Sequence, residues 1–217
     1  FSVLGSTATL MLAISGFSPH TTATALYYLV HSTFAAAAMF LIADLLLSRR
    51  EGGDLLKAVP ATVQNGFIAA LFFAGAIAIA GMPPLSGFLG KLLVLDALRF
   101  ADYAWLVWAV VLVGSLLTIV GFVRAGSVLF WKSTSAELMP PEEDTPEEVT
   151  PPANRIGPAL AAPSVASLAC LALLTVFAGP VMRHMESTAA QLYDPGDYVA
   201  AVLEDQHDTK KLKEEEH

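Results

Sequence analysis

Lys91 stands inside an otherwise apolar stretch, IAIAGMPPLSGFLGKLLVL, at residues 77–95. A charge at the centre of a bilayer costs about 2.5–3.5 kcal/mol on insertion scales, so a lysine there needs a reason. An ammonium group whose surroundings alternate can release and regain a proton, which makes Lys91 a candidate proton carrier. Snorkelling to the interface is the alternative. It is weakened because Asp96 and Arg99 lie one to two turns nearer the interface. His31 sits about one third of the way along a second apolar stretch. Its two ring nitrogens suit a proton relay. A structural hydrogen bond to a serine or threonine of a neighbouring helix accounts for it equally well, and the residues alone leave both open. Asp44 lies one turn before Ser48, Arg49 and Arg50. It reads first as an interfacial acid paired with an arginine and second as an accessory transport residue. Arg124, about two turns from the end of its apolar stretch, reads first as a snorkelling residue and second as a counter-ion on a proton path.

These side chains need helices to hold them. Gly81, Pro83, Pro84, Ser86 and Gly87 precede Lys91. The prolines cannot donate backbone hydrogen bonds and clash with the preceding turn, so a helix arriving from Phe67 breaks near Gly81. It can restart afterwards, since proline is tolerated in a first helical turn. Residues 67–98 would span about 48 Å as one straight helix, well beyond a hydrocarbon core of roughly 30 Å. Two half-helices joined by an unwound link, a broken helix over about 65–99, fit better, and in membrane proteins such links line cavities.

The expected architecture is all-α and polytopic. It has about five membrane crossings: residues 1–17, 22–48, the broken helix counted once, 104–131 and 158–181. Residues 1–131 hold the helices around the break, and 132–157 form an acidic, proline-rich loop. Residues 158–182 hold the final span, and 183–217 an interfacial segment with a charged tail. Residues 55–62 read as an amphipathic surface segment and 188–204 as an interfacial or partner-docking one. Tyr27 and Tyr28 are expected in an interfacial aromatic belt. The loops at 49–64 and 132–157 carry Arg49, Arg50, Lys57, Lys132 and Arg155, which places that side in the cytoplasm and the C-terminus outside. Phe1 reads as the middle of an apolar helix, so the chain is expected to be the C-terminal part of a longer protein.

Composition limits the function classes. Of the 217 residues, 55% are hydrophobic and only 15% charged, against ~25% charged in soluble domains. The acids behind the net charge of −8 cluster in the 137–148 loop and the tail, and no basic patch points to nucleic acid. His20, His31, His184, His207 and His217 lack metal-ligand spacing. Neither a phosphate-binding loop nor a dinucleotide fingerprint is present, and nothing marks an enzymatic nucleophile. No cofactor is expected. Cys170, the single cysteine, reads as a reduced packing residue.

The phrase GMPPLSGFLGKLLVL resembles the antiporter-like membrane subunits shared by respiratory complex I and the multisubunit Mrp-type cation/proton antiporters. Their pattern, Gly-hydrophobic-Pro-Pro, Ser-Gly-Phe, then Gly-Lys on a broken helix, occupies residues 81–91 without a gap. YYLVHSTFAAAAMFLIADLL at 27–46 is similar to their histidine-bearing helix. RAGSVLFW at 124–131 and LYDPGDYVAAVL in the tail resemble the D-type branch of Mrp antiporter subunits, in its proteobacterial form. The resemblance implies two inverted five-helix repeats in full-length members, of which this chain carries most of the second plus the C-terminal helices. It places Lys91 on the family's broken-helix lysine and His31 on its membrane histidine. It implies a bacterial inner-membrane, multi-pass member of a hetero-oligomeric complex, surrounded by lipid and moving protons against Na+ or K+. The family histidine phrase of the first helix reads Gly5-Ser6-Thr7-Ala8 here, a departure from the family pattern, so no histidine role is carried over to that helix. Two other uses stay open: a proton-pumping subunit of complex I or of a membrane hydrogenase, and a scaffold in which Lys91 is structural.

Overall fold

The computed structural model describes residues 2–48, 64–132 and 157–196. Seven α-helices run through them: α1 (Ser2–Ile14), α2 (Pro19–Leu47), α3 (Asn65–Ala80), α4 (Ser86–Ala97), α5 (Ala104–Gly126), α6 (Pro158–Val176) and α7 (Ala178–Tyr193). A π-helical turn, Ser127–Trp131, extends α5. Among the described residues there is no strand. Among the described residues, three segments are long and apolar enough to cross a membrane: Pro19–Leu47, Ala104–Trp131 and Pro158–Val176. α1 and α3 are apolar but shorter, and α3 with α4 forms a broken pair. The amphipathic stretch at 55–62, the loops that set the expected orientation, the acidic loop at 133–156 and the tail from 197 lie outside the described residues.

α2 is the axis. It packs against α1, α3, α4, α6 and α7. Pro19 sits in its first turn, and Ser18 and Thr21 form a reciprocal capping box, so the helix begins three residues before the expected Thr22. Alanines at 25, 35 and 38 are buried, which lets neighbouring helices approach closely. Tyr27 and Tyr28 are not surface anchors in this fold. Both rings are buried between helices, and each hydroxyl has a partner. Tyr27 donates to the Leu174 carbonyl at 3.2 Å, and Tyr28 shares a 3.2 Å hydrogen bond with Ser6. A buried phenol needs such a partner.

Two apolar clusters flank the break. One joins Ala13, Tyr28, Val94 and Val107 from α1, α2, α4 and α5. The other joins Ile42, Ile68, Phe72, Phe130 and Ala161 from α2, α3, the π-turn and α6. The π-turn brings Phe130 against Phe72, with ring centroids 5.5 Å apart. α6 stops at Val176 rather than at the expected 181, because Phe177 leaves helical geometry. The chain then restarts as α7, with Pro180 tolerated in the first turn. α7 lies on α2, and the Tyr193 and Thr22 hydroxyls meet at 3.1 Å. Residues 188–193 of the expected docking segment are thus the end of a helix that docks within the chain.

Candidate functional site at the helix break

The break is built by backbone chemistry. α3 ends in a left-handed Gly81 at φ 77°. Gly81 N–H donates to the Ala78 carbonyl at 3.3 Å and Met82 N–H to the Ile77 carbonyl at 3.1 Å. This paired closure is the usual way a helix ends on glycine. The next two carbonyls, Ile79 and Ala80, would bond in a continuing helix to the N–H groups of residues 83 and 84. Those residues are Pro83 and Pro84, which have none. The sequence therefore leaves two carbonyl oxygens without helical partners at the negative end of the α3 dipole.

Lys91 takes the place of those missing donors. Its Nζ donates to the Ala80 carbonyl at 2.9 Å, to the Ile79 carbonyl at 3.3 Å and to Ser115 Oγ at 2.8 Å. An ammonium has three donors, and all three are used. Ser115 donates its own proton to the Val111 carbonyl at 2.8 Å, so lone pairs are what it turns toward Lys91. Among the described residues no carboxylate lies within ion-pair distance of Lys91; the ion pair there is the exposed Asp96–Arg99. The lysine stem lies along Gly81, where a Cβ would come within 2.7 Å of Lys91 Cδ.

His31 meets the other side of the break. Its Nδ1 and Ser86 Oγ are hydrogen-bonded at 2.9 Å, and both residues are buried. Ser86 opens α4, so the histidine is held at the first turn of the second half-helix. Gly87 allows this approach: a Cβ there would overlap the Ala78 carbonyl oxygen and crowd the His31 ring at 3.0 Å. The Tyr28 and His31 rings lie 5.6 Å apart.

A cavity of about 100 Å³ adjoins the ammonium, lined by Lys91, Ser115, Thr118, Ser6, Thr9 and Tyr28 among others. That is room for a few waters, each taking roughly 30 Å³ in the liquid. Tyr28 therefore touches both the Lys91 cavity and the His31 ring. Among the described residues no hydrogen bond joins His31 directly to Lys91.

The structure brings Lys91, His31, Gly81, Pro83, Pro84, Ser86 and Gly87 to one place. It does not bring Asp44 or Arg124 there. Asp44 is exposed on α2, roughly 20 Å along the axis from His31. Arg124 is exposed on α5 and lines a separate groove of about 500 Å³ with Lys132. Arg49 and Arg50, the expected partners of Asp44, lie outside the described residues. Sequence reasoning missed Ser115, Ser6 and Thr9. Serines and threonines on apolar helices read as packing residues, and only the fold shows which of them face the lysine.

The family described as NADH:quinone oxidoreductase/Mrp antiporter, TM, matches residues 1–118. The chain is 26% identical over 205 residues to the D-type subunit of a Na(+)/H(+) antiporter of Bacillus subtilis, covering 94% of this chain and 39% of that protein. It is 28% identical over 234 residues to the D-type subunit of a probable K(+)/H(+) antiporter of Rhizobium meliloti, covering 94% and 40%. Among solved structures it is similar to the Mrp complex from Dietzia sp. DQ12-45-1b, with a TM-score of 0.72 and 28% identity over 89% of this chain and 42% of that one. The chain thus spans about two fifths of the length of the relatives it matches.

Proposed function

The chain belongs to the NADH:quinone oxidoreductase/Mrp antiporter transmembrane family, and we propose that it conducts protons as part of a monovalent cation/proton antiporter. Lys91 is the group that loads and unloads, and His31 passes protons along the same mid-membrane path. The full transporter is a hetero-oligomeric complex of a bacterial inner membrane, exchanging protons for Na+ or K+.

One observation carries this reading. Lys91 is held by three neutral oxygens beside a cavity large enough for water. A lysine bound to a carboxylate would leave a buried anion behind on losing its proton, a costly state. Lys91 leaves only carbonyl and hydroxyl dipoles. The charged form is clamped on the end of α3 by charge and dipole. The neutral amine loses that attraction and is free to turn to the cavity waters, where the proton is exchanged. His31, fixed through Nδ1 by Ser86, has Nε2 left to take or give a proton. The antiporter names of the similar proteins and the Mrp complex among them support the same class of transport.

The test is cation-dependent proton flux in inverted membrane vesicles carrying the whole complex, with assembly checked by blotting. Lys91→Ala is expected to lower flux at least tenfold with assembly intact. Full flux in that variant would remove Lys91 from the proton path.

A further inference from the structure

The oxygens that hold Lys91 converge on one point and are all neutral. Ile79 and Ala80 lack helical partners because residues 83 and 84 are prolines. Their carbonyls point together from the negative end of α3, and Ser115 turns lone pairs to the same point because its proton is committed to Val111. Every ligand is a neutral oxygen. Carbonyl and hydroxyl dipoles of this kind replace the hydration shell of alkali cations, and half-helix C-termini commonly coordinate them. The adjoining cavity of about 100 Å³ supplies space for waters to complete a shell.

We propose that the C-terminal end of α3 and Ser115 form a binding site for a monovalent alkali cation, which the Lys91 ammonium occupies as a tethered ligand. An ammonium nitrogen and a potassium ion stand at similar distances from oxygen, so a K+-sized ion fits best. Lysine and free cation are mutually exclusive there. Two positive charges cannot share three neutral oxygens, so one must leave for the other to enter. This deepens the antiporter reading, on which it rests for its cargo, by giving the cation and the proton carrier one shared set of ligands.

The experiment measures radioactive rubidium binding to the purified whole complex. Lys91→Ala is expected to bind one more Rb+ per complex than wild type. Adding Ser115→Ala should weaken that extra binding at least tenfold. Lys91→Arg, which keeps a tethered cation, should show no extra ion. Equal binding by wild type and Lys91→Ala overturns the proposal, as does extra binding indifferent to Ser115→Ala. A second measurement avoids variants of the lysine. Ser115→Ala alone should raise the KM for the transported cation at least tenfold, and Ser115→Thr, which keeps the hydroxyl, should restore it. An unchanged KM in Ser115→Ala also overturns the site. Lost proton flux without extra rubidium in Lys91→Ala would sink the cation site and leave the proton-path reading standing. Extra rubidium with undisturbed flux would do the reverse.

Discussion

Lys91 and His31 are each tied to a different half of the same broken helix, and the ties are unlike. Lys91 rests on backbone oxygens of α3, which no side-chain substitution can remove, and on one replaceable hydroxyl, Ser115. His31 depends on a single serine. Ser86→Ala leaves a buried ring nitrogen unpaired, a cost of about 1–3 kcal/mol. That loss should appear as a lower midpoint for thermal unfolding of the complex. His31→Ala together with Ser86→Ala should cost clearly less than the two single losses added, because the pair is then removed whole. Strict additivity would mean that the hydrogen bond carries no coupling. At this scale the ionisable residues were legible in the sequence, since a charge or imidazole among aliphatic residues is conspicuous. The partner of Lys91 was not. Ser86 stood out as part of the break, but Ser115 looks like any small polar residue on a packed helix until the fold sets it 2.8 Å from Lys91.

In the proposed proton path the break in the α3–α4 element matters because of what Pro83 and Pro84 lack. Restoring both N–H groups with Pro83→Ala and Pro84→Ala would give the Ile79 and Ala80 carbonyls helical partners and take them from Lys91. Proton flux is then expected to fall at least tenfold while the complex still assembles. Unchanged flux would show that the free carbonyls play no part. Gly87→Ala acts differently. Its Cβ would overlap the Ala78 carbonyl, so the two half-helices must separate, and blotting should show less assembled complex. A normal yield would mean that the close approach is dispensable. The break itself was legible from Gly81, Pro83 and Pro84, because backbone rules need no tertiary context. The π-turn at Ser127–Trp131 was not, since nothing in its apolar sequence distinguishes it from α5, and it is the aromatic packing of Phe130 on Phe72 and Phe73 that uses it.

At the scale of the whole molecule, α2 gathers five helices, while α5 turns a row of large apolar side chains outward. Leu116 and Val120 are more than half exposed, as residues facing lipid or a neighbouring protein would be. In a complex carrying Cys170→Ala, a cysteine introduced by Val120→Cys should resist a membrane-impermeant maleimide. One introduced by Asp102→Cys, in the exposed turn before α5, should react. Rapid labelling at 120 would contradict a membrane-spanning α5. Hydropathy made the long spans legible. It could not show that α7 folds back onto α2, because that contact rests on shape and on the Thr22–Tyr193 hydroxyl pair rather than on any local pattern. The proposed transport turns on whether Lys91 exchanges a proton or merely supplies a fixed charge. Arginine keeps the charge and does not deprotonate in proteins. The most direct measurement is therefore proton and cation flux, recorded together, for the complex with Lys91→Arg reconstituted in liposomes. Loss of both fluxes in an assembled complex is the predicted result. Retention of both at the wild-type rate would contradict a titrating Lys91.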